Sequence, residues 1–455
     1  MKEKNHKGLP WFGIPKLIPY LRGYGRLFLS MVLFGLLASG MDVVIPLFQQ
    51  YAINHFIADS TMQGIWPFVA LYLLVMAVQT ASNYISAYGA CRAELYIGRD
   101  LRREAFDHVQ TLSFSYFNQN SVGYIHARVI SDTDRIAGTL AWGIMEGVWE
   151  IAYLLFAIVM MFALNWKLAL CVMVIVPILV VSSIFFQKKL VFYHRKVREH
   201  NSQITSAFNE GITGAKTTKT LVIEDKVEKE FDQLTGEMKR VSVRAMHFRS
   251  VFMSTTAFAA SIALAIVLWR GGIITREGVM LVGTLSVFMN YAQGMMEPIQ
   301  WLVQVLSSLV NVQVNVERFT KLMETESDVR DTPEVTAKYG DAFHPKKENW
   351  EPLHGDIEFR DVTFRYPDGE ENILEHFNLK VLQGTNVAIV GETGAGKSTL
   401  VNLVCRFFEP TEGQVLIDGR DARERSQLWL HSNIGYVLQT PHLFSGTVLE
   451  NLRYG

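Results

Sequence analysis

Six long apolar runs dominate the first 306 residues of the chain. They cover approximately residues 27–48, 65–88, 139–164, 168–186, 251–269 and 279–306. A helix needs about 20 apolar residues to cross the hydrocarbon core of a bilayer, whereas soluble core helices typically show runs of about 10 to 14. Six runs of this length argue against one large soluble core. The pattern therefore predicts six membrane-spanning helices.

Lys and Arg are concentrated in alternate connections between these runs. The first 26 residues carry 6, residues 91–138 carry 6 and residues 187–250 carry 13, against 0, 1 and 2 in the other three connections. Basic residues accumulate on the cytoplasmic side of a membrane protein. The distribution predicts a multi-pass membrane protein with both termini in the cytoplasm.

The cytoplasmic segments have helical patterns of their own. In residues 1–26, the apolar positions Leu17, Ile18, Tyr20 and Leu21 alternate with basic ones, which is typical of an interfacial helix. The two long internal connections have helical patterns, and in the first of them residues 91–110 combine apolar three- and four-residue spacing with charge. We expect the membrane helices to continue well into the cytoplasm.

Four carboxylates fall within or near the apolar runs: Asp42, Glu146, Glu150 and Glu297. An ionised carboxylate in a bilayer costs a few kcal/mol, so such residues should face a cavity or a partner. They are candidates for cation recognition. The alternatives are positions near headgroup water, or pairing with basic residues in the assembled helices.

Met295 and Met296, beside Tyr291, are candidates for an adaptable binding surface, although methionine more often serves packing.

Composition argues against two classes of protein. Hydrophobic residues make up 49% of the chain, which is too many for an ordinary soluble protein of this size. The net charge is −1, which argues against a nucleic-acid-binding protein, because such proteins carry a basic surface. Cys91, Cys171 and Cys405 fit neither a zinc spacing nor a disulfide framework and are interpreted as packing residues. The first apolar run is too long for a cleaved signal core.

After the last apolar run, residues 324–354 are polar and contain three prolines, which is typical of a linker. From Ile357 the pattern is that of a soluble α/β domain. IEFRDVTFRY alternates as a strand, and NVAIV (386–390) is predicted as a short buried strand. The sequence GETGAGKST follows directly and is succeeded by the apolar helical run TLVNLVCRFF.

This sequence is a P-loop, since residues 391–398 fit G-x-x-x-x-G-K-[ST] between a strand and a helix. Glycines at 391, 394 and 396 let the backbone approach phosphates closely. Lys397 is predicted to reach the β- and γ-phosphates, and Ser398 to bind Mg²⁺. The backbone N–H groups predicted to face the phosphates belong to residues 392–399, namely Glu392, Thr393, Gly394, Ala395, Gly396, Lys397, Ser398 and Thr399.

A P-loop alone does not separate a transport ATPase from a GTPase or a small-molecule kinase. The flanking residues, however, resemble the ATP-binding cassette (ABC) exporter family. Tyr366 in FRYPDG looks like the aromatic residue that stacks on adenine, and Gln439 in IGYVLQTPHLFSGTVLENLRYG looks like the Q-loop glutamine. The resemblance implies that Gln439, like Ser398, contacts the Mg²⁺ that accompanies ATP.

The membrane half carries the same resemblance. Residues 112–136 are similar to the first cytoplasmic loop of these exporters, and residues 206–224 to the second. The family places a short coupling helix in each loop, here near 112–118 and 207–215, and docks it on the nucleotide-binding domains. The implied domains are an N-terminal segment (1–26), a six-helix all-α transmembrane domain (27–323), a linker (324–354) and a partial α/β P-loop nucleotide-binding domain (355–455).

The resemblance implies one half of an exporter that dimerises with an identical or different half-transporter in a bacterial inner membrane. Its cofactors would be ATP and Mg²⁺, and its cargo a drug, lipid or peptide. The printed residues contain no signature segment, Asp-Glu strand end or histidine switch, and so no catalytic residue. We expect the chain as printed to be a fragment that binds ATP but does not hydrolyse it.

Two other functions are considered. One is a non-catalytic, nucleotide-sensing membrane subunit that modulates a complete partner. The other is a membrane-tethered P-loop kinase or GTPase, which the two loop resemblances disfavour. Neither the cargo nor the choice between homodimer and heterodimer follows from the sequence.

Overall fold

The computed structural model describes residues 13–392, 394–438 and 442–454. Its contacts divide the chain into two units. The helical unit contains the residues up to Arg102 and Ser131–Phe319. The sheet unit contains Arg103–Ile130 and the residues from Thr320 onward. Part of the first cytoplasmic loop therefore belongs to the same unit as the P-loop.

Helices account for most of the described residues before residue 324. In chain order they are α1 (Ile14–Leu21), α2 (Gly25–Tyr51), α3 (Ile65–Gln110), α4 (Phe114–Gln119), α5 (Val122–His126), α6 (Thr133–Met173), α7 (Ile175–Thr213), α8 (Ala215–Leu221), α9 (Glu224–Arg276), α10 (Val282–Gly294) and α11 (Met296–Met323). The short N-terminal helix predicted from the amphipathic pattern is present as α1. Leu17 on it is buried.

Five helical stretches among the described residues are long and apolar enough to cross a membrane. They are Pro15–Ile57, Ile65–Gln110, Val122–Met173, Ile175–Thr213 and Glu224–Arg276. Between them they contain the first five predicted spans. The sixth predicted run, 279–306, lies on α10 and α11, which meet at Met295. This last span stays a prediction.

The third and fourth predicted spans are separated at Asn165, as the sequence indicated. Asn165 has non-helical backbone angles (φ −160°, ψ 101°), and its Oδ1 accepts a hydrogen bond from the N–H of Leu168 at 3.1 Å. This is the geometry of a helix N-cap. A second break lies at Val174, three residues before Pro177. Proline has no N–H to donate to the preceding turn, which interrupts the helix there.

The core of the helical unit includes Tyr291, Phe288 and Met295, all fully buried, with Met296 almost so. The Tyr291 hydroxyl donates to the carbonyl of Val43 at 2.6 Å, which ties α10 to α2. Tyr291, Met295 and Met296 therefore serve packing, and the suggestion that they line a binding surface is wrong for this structure.

The three cysteines are free and differ in exposure. Cys405 is buried, Cys171 is partly buried and Cys91 is exposed. The interpretation as packing residues therefore fits Cys405 and, in part, Cys171. It is wrong for Cys91, because that side chain is exposed at the surface of the helical unit.

The sheet unit is built on four antiparallel strands in the order β2-β1-β3-β4. These are β1 (Ile357–Phe364), β2 (Leu374–Val381), β3 (Glu412–Ile417) and β4 (Arg420–Asp421), accompanied by the helices α12 (Pro333–Tyr339), α13 (Lys397–Val404), α14 (Gln427–Ser432) and α15 (Val448–Leu452). Phe359, Val362, Phe364 and Leu403 lie in its core. The predicted strand over IEFRDVTFRY is confirmed as β1.

The buried strand predicted at NVAIV is wrong for the described structure. Residues 386–390 have no strand conformation, and Val387, Ile389 and Val390 are exposed. A strand forms only with a hydrogen-bonded neighbour. Among the described strands none pairs with this segment, so its apolar β-branched residues remain at the surface.

The predicted linker is folded into the sheet unit. Tyr339 of α12 is buried in a cluster with Trp429 and Leu430, and Trp350 packs against it. The Tyr339 hydroxyl lies 2.8 Å from Oε1 of Glu351. The polar composition of residues 324–354 gave no sign of the contacts with Trp429 and Leu430, because these partners lie about 80 to 90 residues further along the chain.

Candidate nucleotide-binding site

The P-loop precedes α13 directly, as its sequence context requires. Gly394 and Gly396 have φ of +91° and +79°, angles that side chains disfavour. Gly396 is also buried against β2, where a Cβ would lie 3.2 Å from Cγ2 of Ile373. The helix then begins at Lys397 with its free N–H groups at the glycine-rich end.

Lys397 folds back over the loop. Its ammonium group donates to the carbonyl oxygens of Gly391 and Glu392, at 2.9 and 2.6 Å. The lysine thus holds a positive charge at the N-terminus of α13. The helix dipole is positive at the same end, so both the lysine and the dipole attract anions there. The two contacts leave the lysine able to exchange backbone carbonyls for phosphate oxygens.

Tyr366 is joined to the same helix. Its hydroxyl lies 3.0 Å from Oγ1 of Thr399, with either group able to donate. Its ring meets those of Phe364 and Phe408 edge to face, at centroid distances of 4.9 and 5.1 Å. Because Thr399 is buried and Tyr366 half-buried, the pair fixes the aromatic ring beside the P-loop helix.

Most of the other residues predicted for the site are exposed at the loop surface, namely Glu392, Gly394, Ala395 and Ser398. The Ser398 hydroxyl is therefore accessible to a cation. Thr393 and Gln439 lie outside the described residues, so their predicted contacts with phosphate and Mg²⁺ stay predictions. The hydroxyl of Thr399 bonds to Tyr366, a role that the sequence did not suggest.

A cavity of about 310 Å³ adjoins Tyr366 within the sheet unit. Besides Tyr366 it is lined by Ser115, Asn118, Gln119, Pro367, Asp368, Gly369 and Phe408. Three of these residues belong to α4, in the first predicted coupling segment. Reasoning from the sequence did not include them in the site, although the resemblance of residues 112–136 to an exporter loop was the available signal.

The site fits a nucleoside triphosphate with its magnesium ion. Gly394, Gly396 and the start of α13 form a cradle for phosphate oxygens, and Lys397 supplies a positive charge. Tyr366 offers an aromatic surface for a base, and Ser398 offers a hydroxyl for Mg²⁺. When bound, Mg²⁺ would neutralise phosphate charge, while the chain's own groups hold and orient the phosphates.

The four candidate carboxylates of the membrane half have different surroundings. Asp42 accepts hydrogen bonds from Trp149 Nε1, at 2.8 Å, and from Gln79. Glu146 accepts one from Trp301 Nε1 at 3.2 Å. Glu297 is exposed, whereas Glu150 is buried. The pairing with basic residues that was considered for them is not found in the hydrogen bonds of Asp42 and Glu146.

Comparison with known families and proteins places both halves of the chain. Residues 27–299 match the family described as ABC transporter transmembrane region. Residues 374–453 match the family described as ABC transporter. The second match contains the P-loop, α13 and the β3–β4 hairpin.

Individual relatives agree with these matches. A putative multidrug export ATP-binding/permease protein of Bacillus subtilis is 26% identical over 97% of this chain and 75% of its own length. An ATP-dependent lipid A-core flippase of Escherichia coli is 27% identical over 86% of this chain and 64% of its own. A probable multidrug resistance ABC transporter of B. subtilis is 30% identical over 86% and 56%.

The chain thus spans 56% to 75% of the length of these three relatives. The first family match alone covers more than half of the chain, and it overlaps all five helical stretches that could cross a membrane, four of them over their whole length. The chain belongs to the ABC transporter family, as a membrane protein with a transmembrane region followed by ATP-binding sequence of the ABC type.

Proposed function

We propose that the chain is one half of an ATP-driven exporter that moves an amphipathic molecule across the bacterial plasma membrane. The observation that carries this proposal is the position of Lys397. This residue lies at the start of α13, beside Gly394 and Gly396, whose φ angles are positive. Residues 27–299 of the same chain match an ABC transmembrane region. The names of the relatives, which include multidrug export proteins and a lipid flippase, support export as the direction.

The roles of the site residues are proposed as follows. The loop from Gly391 to Thr399 holds the triphosphate, with Lys397 on the β- and γ-phosphates. Tyr366 stacks on the adenine, and Ser398 and Gln439 contact Mg²⁺. A second half-transporter, identical or different, completes the working dimer, and both termini lie in the cytoplasm.

The first experiment measures nucleotide binding by the detergent-solubilised chain, using displacement of a fluorescent ATP analogue. Lys397→Ala should weaken binding at least about tenfold, since charge-assisted phosphate contacts are worth roughly 1.5–3 kcal/mol. The matched control is Lys380→Ala, which removes an exposed lysine of β2. Equal affinity in the wild type and Lys397→Ala would contradict the assigned site.

Two further measurements test the finer points. Ser398→Ala should reduce the gain in affinity that Mg²⁺ gives while leaving Mg²⁺-free binding nearly unchanged. Cargo movement is tested with inside-out membrane vesicles that contain the complete product of the gene, where ATP should drive uptake of an amphipathic dye unless Lys397 is replaced by Ala. We also predict that residues 1–455 bind ATP without hydrolysing it. A steady-state ATPase assay checks this prediction.

A further inference from the structure

Three glutamates of the helical unit lie near one another on α6 and α11. Glu150 is only 6% exposed, and its Oε2 has no hydrogen-bond partner among the described residues. Glu146 lies one helical turn earlier on α6, and Glu297 lies at the start of α11. The Trp301 indole of α11, one turn after Glu297, donates to Glu146 at 3.2 Å, so the two helices meet at this turn. Glu150 therefore shares this part of the unit with two further carboxylates.

Glu150 is unlike the other acidic residues in the membrane half. Asp42 is satisfied by Trp149 and Gln79, and Glu146 receives a hydrogen bond from Trp301. A buried carboxyl with an unpaired oxygen is costly in an apolar environment. Such a residue within a membrane span marks a position where a charged or polar partner is to be accommodated.

The position of the other two glutamates indicates where that partner comes from. Glu146 and Glu297 are exposed on the surface of the helical unit. A carboxylate facing lipid at the depth of the bilayer would be strongly unfavourable, so the surface that carries Glu146 and Glu297 is expected to face water. A ligand on that surface would reach the exposed carboxylates first and, behind them, Glu150.

Aromatic rings surround the same turns of α6. The Trp301 indole packs against Gly147, where a Cβ would lie only 3.0 Å from Cη2. Trp149 and Tyr153 stack at a centroid distance of 5.8 Å. Carboxylates combined with aromatic faces suit an organic cation with an apolar body. A metal ion fits less well, since no group of three or more His, Cys, Asp and Glu among the described residues could hold one.

We propose that Glu150, Glu146 and Glu297 form a recognition site for an amphipathic organic cation. The proposal rests on the export function proposed above and names the class of cargo. The apolar body contacts the aromatic rings beside Gly147, and the positive charge is balanced by the carboxylates. Removal of one carboxylate therefore weakens cation binding without altering the nucleotide site.

The test uses tetraphenylphosphonium, a hydrophobic cation, and tetraphenylborate, an anion of nearly the same shape. Equilibrium binding of both is measured on the purified chain in detergent, together with binding of the fluorescent ATP analogue. Glu150→Gln should weaken tetraphenylphosphonium binding about tenfold, which corresponds to about 1.4 kcal/mol. Glu297→Gln should weaken it in the same direction. The control Glu228→Gln removes an exposed carboxylate of α9 and should change nothing.

Charge selectivity decides the outcome. Preference of the wild type for the cation, lost in Glu150→Gln and Glu297→Gln while ATP binding is kept, supports the site. Equal binding of cation and anion, or unchanged cation binding in both variants, overturns it. If Glu150→Gln fails to fold, as aggregation in size-exclusion chromatography would show, the result for the exposed Glu297 decides alone. Absence of ATP binding by the wild type would instead count against the exporter function itself.

Discussion

The phenyl ring of Phe114 stacks on that of Phe407, with the ring centroids 4.6 Å apart and the planes inclined by 23°. Phe114 begins α4, in the first predicted coupling segment, and Phe407 follows the end of α13 by three residues. Phe407 also contacts the rings of His431 and Tyr436. Within the sheet unit, a cytoplasmic loop helix is thus packed directly against the region that carries the P-loop helix.

We expect a measurable coupling between these two rings. In a double-mutant cycle of Phe114→Ala and Phe407→Ala, the interaction should stabilise the sheet unit by about 0.5–1.5 kcal/mol, as stacked aromatic pairs do. Buried Cys405 serves as the reporter, since denaturant exposes its thiol to a maleimide. The background carries Cys91→Ser and Cys171→Ser. Strictly additive effects of the two substitutions would contradict an energetic contact.

Tyr366 should separate two contributions to nucleotide binding. Tyr366→Phe keeps the ring and removes only the hydroxyl that lies 3.0 Å from Thr399, so ATP affinity should change little. Tyr366→Ala removes the surface on which the base would stack, a contribution of about 1–3 kcal/mol. ATP and inorganic triphosphate are compared by competition with the fluorescent analogue. An equal loss of affinity for triphosphate would mean that Tyr366 positions the loop rather than the base.

Gly396→Ala should weaken ATP binding through backbone strain. A side chain at φ +79° costs roughly 1–2 kcal/mol, and its Cβ would press on Ile373 at 3.2 Å. Binding should fall by a factor of about 5–30 if the start of α13 shifts to relieve this strain. The control is Gly435→Ala, where an added Cβ meets no atom within 4 Å. Similar affinities for the two variants would show that the left-handed turn is not needed.

Local patterns in the sequence predicted those features that depend on neighbouring residues. Long apolar runs gave five of the spans, the alternation in IEFRDVTFRY gave β1, and the P-loop pattern placed a helix directly after its glycines. The capping of Leu168 by Asn165 lies within the short connection that the pattern identified. Each of these features is decided within a few residues of chain.

Features that depend on distant partners did not follow from the sequence. NVAIV has the composition of a strand, yet the described strands offer it no hydrogen-bonded neighbour. Tyr339 lies in a polar, proline-containing segment but is buried beside Trp429. The unpaired oxygen of Glu150 depends on the packing of α6 with the rest of the unit. Hydrophobic periodicity contains no information on which distant side chain fills such a position.

Arg406 illustrates the same limit and gives a prediction. The sequence places it in an apolar helical run, but its guanidinium is 2% exposed and donates to Asp331 at 2.7 Å and to Glu409 at 2.9 Å. Two backbone carbonyls complete its contacts. Arg406→Met should lower the free energy of unfolding by up to about 3–5 kcal/mol, since Asp331 and Glu409 would lose their guanidinium partner.

The measurement for Arg406 is again the denaturant dependence of Cys405 labelling. Arg420→Met is the matched control, because that guanidinium is mostly exposed, and its effect should stay within about 0.5 kcal/mol. A loss for Arg406→Met no larger than for Arg420→Met would mean that the buried network contributes little. In that case, residues 324–354 would be held to the sheet mainly by Tyr339 and its apolar neighbours.

Asp418 should make the sheet unit sensitive to acid. Burial alone would raise the pKa of its carboxyl, but the N–H groups of His354, Asp356 and Gly355, at 2.8–2.9 Å, hold that pKa below the ordinary value of 3.8. A pKa that is lower in the folded state stabilises the fold above the unfolded-state pKa. This stabilisation is lost as pH falls through the folded-state value.

Asp418→Asn removes that titration while keeping a residue type that tolerates the φ of +49° found there. Scanning calorimetry between about pH 7 and pH 3 should show a smaller fall in melting temperature for the variant than for the wild type, mainly below about pH 5. At neutral pH the variant should be the less stable of the two, because it has lost a charged acceptor for backbone N–H groups. Asp368→Asn, at an exposed turn, should follow the wild-type profile. Parallel profiles for Asp418→Asn and the wild type would place the acid-sensitive group elsewhere in the sheet unit.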